Sequence, residues 1–319
     1  MKKTAVPAIL IGAALAVTLI ATNDVGQIWR ALATAGWGIA IVILLHLPQT
    51  FASALGWRAL LDRHESVAFA SGARWIRESV NALLPVAQLG GDVVRARLLA
   101  ARGRSFAYGV AVSMVDLAME TITQAIFTIA VIMLLVAGPH VGDVMPMAIG
   151  VTIACIAIAG ALFAAQRFGM FALLERVMDR LTRGQATDLA GLHDAVVALY
   201  RRPGPLARSS GYHLASWFLG GLETYAALHV LDINASLREA LIIEALGQAV
   251  RGAGFLVPGA LGVQEGGYLL ICAIFGIPPD KALALSLIRR IRELALGLPG
   301  LAFWHRLEAR RPLATEGVT

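Results

Sequence analysis

Apolar runs of about twenty residues alternate along this chain with short polar stretches rich in Arg, and at ~1.5 Å per residue each run can cross a ~30 Å hydrocarbon core. Uninterrupted runs predict six full crossings, at 4–21, 38–61, 105–137, 145–166, 209–231 and 280–304. Two further runs, 67–99 and 237–275, are broken near the middle by Pro and Gly. A backbone that leaves the helix at membrane depth must be enclosed by protein, so each of these reads as a re-entrant hairpin: one helix in to the midplane and one back out. The expected fold is an all-α polytopic membrane protein, a single transmembrane domain over 1–319 with no separate soluble domain.

The two broken runs correspond to each other. Pro85, Gly90, Gly91, Asp92, Ser113 and Glu120 have positional counterparts 173 residues later in Pro258, Val263, Gln264, Glu265, Ser286 and Glu293. Copies at about 67–137 and 237–304, each a broken hairpin with an acid past the break and a charged helix after it, predict an internal repeat of the kind transporters use.

Charge then orients the spans. Lys2 and Lys3, Arg58 and Arg63, Arg95 to Arg104, Arg167 to Arg202 and Arg306 to Arg311 fall on one side, whereas the opposite loops hold only Arg30, Arg238 and Lys281. That places both termini in the cytoplasm and makes the first hairpin enter from inside and the second from outside, an inverted-topology pair. Trp29, Trp37, Tyr200, Tyr212 and Trp304 sit near span ends as belt residues, and 168–208 reads as a cytoplasmic amphipathic segment.

Composition agrees with this picture. The 319 residues are 58% hydrophobic and 15% charged, with a mean hydropathy of +0.71. The net charge of +6 lies in loops with no nucleic-acid motif, so it reads as topology rather than nucleic-acid binding. Cys155 and Cys272 are isolated, and the histidines have no ligand spacing, which argues against disulfides, metals and cofactors. No P-loop, GxSxG elbow or dinucleotide fingerprint is present, so ATP-driven and hydrolase chemistry lose support.

The informative residues are those a bilayer rejects, since a central charge costs ~2.5–3.5 kcal/mol unless it faces protein or water. Asp116, Glu120 and Gln124 share one helix face; Arg289, Arg292 and Glu293 share another, with Arg290 alongside. One reading is a structural ion-pair set in which Asp116 and Glu120 neutralise Arg289 and Arg292 and lock the repeats together. The other is a polar cavity for a lipid headgroup. Asp92 and Glu265, each in the first turn of a returning half-helix, either cap that helix or meet cargo with its N–H groups. Arg74, Arg77, Glu78 and Asn81 form a stripe leading to Pro85, and Glu244, Gln248 and Arg251 a similar one leading to Pro258. They are headgroup-facing surface or the lining of an access path. Glu223, a lone acid in its span, reads as a hydrogen-bonded structural acid or a proton site.

The stretch from Trp75 through Asn81, Pro85, Gly90, Gly91 and Asp92 to Arg95, with Pro258, Gly259, Gly262 and Glu265 and the late run Leu287–Glu293, resembles the transmembrane flippase domain of lysylphosphatidylglycerol synthases and their stand-alone relatives, above all the hopanoid-associated members. The resemblance covers nearly the whole chain. It implies lipid translocation or export at the bacterial inner membrane, with membrane lipids, hopanoid or phospholipid, as partners and those matching positions as the site; a homo-oligomer is compatible with it. Aminoacylation is not implied, because the synthase's soluble transferase domain has no counterpart here. Two other classes compete: an ion-coupled small-solute transporter, and a membrane enzyme of lipid modification, for which no nucleophile–base pair or metal set is evident. The expectation is a protein that is not an enzyme.

Overall fold

Polar caps start the helices that the apolar pattern requires. In the computed structural model, residues 21–62, 65–84, 89–136, 191–254 and 257–309 are described, with scattered positions within 14–19 and 150–189. The expected crossings at 4–21 and 145–166, the residues Pro85 and Cys155, and most of the 168–208 segment lie outside them. Asp24 accepts the Gln27 N–H and opens α1 (Val25–Ala35), where no element is expected from the sequence. After Gly36 the chain enters α2 (Gly38–Leu60). Ser66 caps α3 (Val67–Leu83), and α4 (Gly90–Ala100) and α5 (Phe106–Val136) follow. The second half holds α6 (Leu192–Tyr200), α7 (Pro203–Val230), α8 (Leu237–Ala253), a 3-10 turn at Pro258–Ala260, α9 (Val263–Ala273) and α10 (Pro279–Ala309). Among the described residues all regular structure is helical.

Among the described residues two helices, Gly38–Leu60 and Phe106–Leu134, are long and apolar enough to cross a membrane. The other two long ones, α7 and α10, carry Glu223 and the cluster from Arg289 to Glu293 mid-helix. α7 starts at Pro203, six residues before the expected span, because Pro at the first helical position costs no hydrogen bond.

Both broken runs interrupt where Pro and Gly predict. α3 ends at Leu83 and α4 resumes at Gly90. In the second run the turn uses left-handed backbone at Gly259 (φ 61°) and Gly262 (φ 75°), which side chains other than glycine rarely adopt.

The packing is reciprocal. Within each half the broken pair packs on itself, and its second helix packs on the long helix that follows: α3 on α4 and α4 on α5, then α8 on α9 and α9 on α10. Across the halves α3 packs on α10 and α8 on α5, while α2 lies along α7. Every such contact has a counterpart in the other half. Two apolar clusters follow this division, one containing Trp57, Ile76, Leu99 and Val112, the other Leu228, Ile242, Ile243 and Leu285. Close approach rests on small residues: a Cβ on Gly109 would lie 2.8 Å from the Ala96 carbonyl oxygen, so α4 and α5 touch backbone to backbone.

Candidate functional site

α3 carries its charges on one face, and that face meets acids from two other helices. Arg74 donates from Nε to Glu78 Oε1 at 2.7 Å and from Nη2 to Glu120 Oε1 at 2.8 Å. Arg77 reaches Asp92 Oδ1 at 2.9 Å and Glu120 Oε2 at 3.0 Å. One turn further along α3, Asn81 Oδ1 accepts the Gly91 N–H at 2.8 Å, so α3 holds the start of α4 by both a charge pair and an amide. Gly91 is required there, because any Cβ would collide with the Arg77 carbonyl. Arg95, fully buried, donates to Asp92 at 2.8 Å, to Asp116 at 2.7 Å and to Ser113 at 3.3 Å, with its guanidinium 4.8 Å from the Trp57 ring centre. Asp116 also meets His213 Nε2 at 3.0 Å.

The second half builds its own network. Arg251 on α8 pairs with Glu293 and donates to Gln264 at 3.2 Å. Arg289 pairs with Glu244 and donates to Thr224 at 2.5 Å; Gln248 donates to Glu244 at 2.8 Å. Arg292 pairs with Glu223, which also contacts His46 Nδ1 at 2.8 Å. Glu265 Oε2 accepts the Gly262 N–H at 2.7 Å, the capping role, and its other oxygen meets Arg290 Nε at 3.0 Å. Arg290 further donates to the Gly259 carbonyl at 2.5 Å and so staples the break near Pro258.

These pairs correct the partner assignment made from the sequence. Asp116 and Glu120 do not neutralise Arg289 and Arg292: Asp116 takes Arg95, Glu120 takes Arg74 and Arg77, Arg289 takes Glu244 of α8 and Arg292 takes Glu223 of α7. Every arginine thus finds its acid within its own half, while His213 on Asp116 and His46 on Glu223 reach across. The lone acid Glu223 is paired. Asp92 and Glu265, equivalent in sequence, do different work: Glu265 caps its own helix, whereas the first turn of α4 is served by Asn81 from α3 and Asp92 instead takes two arginines. Three participants were not picked out by sequence reasoning: His46, His213 and Thr224. Their signal was a polar stripe at three- and four-residue spacing along two spans, His46, Gln49, Thr50 and Ser53 on α2 and His213, Ser216, Gly220 and Thr224 on α7.

Between the halves lies a cavity of about 1600 Å³. Of the residues singled out from the sequence, it brings together Arg74, Arg77, Glu78, Asn81, Glu120, Gln248, Arg251, Arg292 and Glu293. Gly90, Gly91, Asp92, Arg95, Asp116, Gly259, Gly262, Glu265 and Arg289 do not line it and form the supporting layer behind. The lining also holds apolar side chains, and among them Leu47, Phe51 and Phe303 reach the exterior at 46%, 47% and 38% exposure. Arg74 Nη1, buried in this lining, has no hydrogen-bond partner in the protein. Among the described residues no group of three His, Cys, Asp or Glu could hold a metal.

Fold and site thus define a helical membrane protein with a charged chamber at the junction of two similar halves. Residues 6–300 match the family described as "Lysylphosphatidylglycerol synthase TM region", and the chain belongs to that family, whose function is membrane lipid-related. Comparison with curated proteins and with solved structures found no match.

Proposed function

We propose that this protein translocates a lipid across, or exports it from, the bacterial inner membrane, with no catalytic residue of its own. The observation that carries the reading is the mixed lining of the cavity. It presents Arg74, Arg77, Glu120, Arg251 and Glu293 together with apolar side chains, of which Leu47, Phe51 and Phe303 are also exposed at the exterior. A headgroup suits the charged residues and acyl or polycyclic carbon the apolar ones. At about 1600 Å³ the chamber exceeds the roughly 300–1,000 Å³ of a drug-sized ligand pocket, as a lipid requires. The unpartnered Nη1 of Arg74 is a buried donor free for a headgroup oxygen.

In this reading α3/α4 and α8/α9 are re-entrant hairpins of an inverted repeat, both termini are cytoplasmic, and the reciprocal packing of α3 on α10 and α8 on α5 expresses the repeat's pseudo-two-fold axis. The cargo is a hopanoid or related lipid, an assignment that rests on the motif resemblance.

The test is reconstitution of the full chain into vesicles with fluorescent phosphatidylglycerol or a fluorescent hopanoid, read by external quenching. Protein-dependent loss of inner-leaflet signal for either lipid is the expected result. Unchanged signal for both, beside transport of a small polar solute, would turn the reading to a solute transporter.

A further inference from the structure

Resting on the lipid-translocation reading, we propose that His46 is a proton-binding site that couples the two halves, so that transport runs with a proton. The imidazole lies at the cavity wall with 16% of its side chain exposed, between carboxylates from the two networks. Nδ1 is 2.8 Å from Glu223 Oε2 on α7, and Nε2 is 3.9 Å from Glu78 Oε2 on α3. Glu223 belongs with Arg292 of α10; Glu78 belongs with Arg74 and takes the Thr50 hydroxyl at 2.9 Å. Glu120 of α5, which lines the same cavity, is held by Arg74 and Arg77.

A neutral ring has one N–H. Given to Glu223, it leaves a lone pair on Nε2 facing the Glu78 carboxylate; given to Glu78, it leaves one facing Glu223. A proton taken onto the free nitrogen makes the ring a cation that is hydrogen-bonded to Glu223 and stands at ion-pair distance, 3.9 Å, from Glu78. The charge balance points the same way. The paired carboxylates Glu78, Asp92, Asp116, Glu120, Glu223, Glu244, Glu265 and Glu293 outnumber the paired arginines Arg74, Arg77, Arg95, Arg251, Arg289, Arg290 and Arg292 by one. An interior of low dielectric favours filling that deficit with one cation.

His213 is the other histidine in these networks, but it is fully buried, does not line the cavity, and meets a single acid, Asp116. It has no open path to the cavity along which a proton would arrive. His46 faces the cavity on one side and both halves on the other. A cationic headgroup that takes Glu78 removes the anion the ring faces and releases the proton, whereas a phosphate that draws Arg74 away leaves Glu78 to hold the proton more tightly; either change in proton occupancy on cargo binding is the linkage that coupling needs.

The test uses vesicles of the full chain with fluorescent phosphatidylglycerol, with and without an imposed pH gradient. We expect the wild-type rate to change about fivefold or more with the gradient, and H46Q, whose amide is polar and of similar size but does not titrate near neutral pH, to run at one rate in both conditions. Equal wild-type rates in both conditions overturn proton coupling and leave lipid translocation standing. Should no lipid move at all, the transport reading fails and the site is judged by nitrogen-15 histidine spectra of the purified protein. An imidazole signal that titrates between about pH 5 and pH 8 and is lost in H46Q sustains the proton site, and a signal that does not titrate overturns it.

Discussion

Arg95 and Asp116 pair at 2.7 Å in the first half, and the residues 173 positions further on, Tyr268 and Arg289, also meet, the Arg289 guanidinium lying 5.4 Å from the Tyr268 ring centre. The two positions touch in both halves while the chemistry is exchanged: the acid of the first copy is a base in the second. That exchange explains why Arg289 has no use for Asp116. It takes Glu244 from α8, and Asp116 already has Arg95 and His213.

Removing one member of the Arg95–Asp116 pair should be costly, since both are fully buried and the survivor loses its closest counter-charge, Asp116 keeping only His213 and Arg95 only Asp92. Arg95→Met alone should cost about 3–5 kcal/mol. Arg95→Met with Asp116→Leu should recover a large part of that. Thermal melting of the purified variants checks it, and additive losses would end the pairing argument.

Asp92→Asn and Glu265→Gln should part company. Gln at 265 keeps an oxygen for the Gly262 N–H and loses only Arg290, whose side chain is 16% exposed. Asn at 92 leaves Arg77 and Arg95 short of a charge in a closed interior. Melting should fall clearly further for Asp92→Asn, and equal falls would show that the two acids share one role.

Gly91→Ala should lower stability by about 1–3 kcal/mol, because the new methyl group meets the Arg77 backbone, which has nowhere to go. Gly204→Ala, in the first turn of α7 with open space around it, should be neutral or slightly stabilising. The pair of melting curves separates close packing from a general intolerance of glycine replacement.

Gly252→Trp should obstruct the chamber without unfolding the protein. Gly252 lines the cavity and a Cβ there meets nothing within 4 Å. Vesicle transport of fluorescent lipid should drop about tenfold while melting stays near the parent's; transport at the parental rate would place the route elsewhere.

Much of the helical plan was legible along the chain because apolar length and Pro/Gly breaks are local properties. The ends of α2, α5 and the two broken runs fall within a few residues of their expected places. α1 was not legible, since its short, partly polar turns carry neither a full span's length nor a clean period. The stripe Arg74, Arg77, Glu78 and Asn81 was visible as one face, but its partners were not. Asn81 looked like a lining residue and does line the cavity, yet its oxygen is also committed to Gly91, a contact that exists only once α3 and α4 lie side by side.

By itself the sequence determined that this chain forms long apolar helices, that two of its segments break at Pro and Gly, and that a set of charges must find cover, because helix period, backbone freedom and the cost of burying an ion all act over a few neighbouring residues. Only the tertiary structure decided which acid answers which arginine, that Glu265 caps while Asp92 bridges, and that His46 stands between the halves. Those outcomes depend on side chains up to 177 positions apart meeting within 3 Å, and such distances are set by how the helices cross.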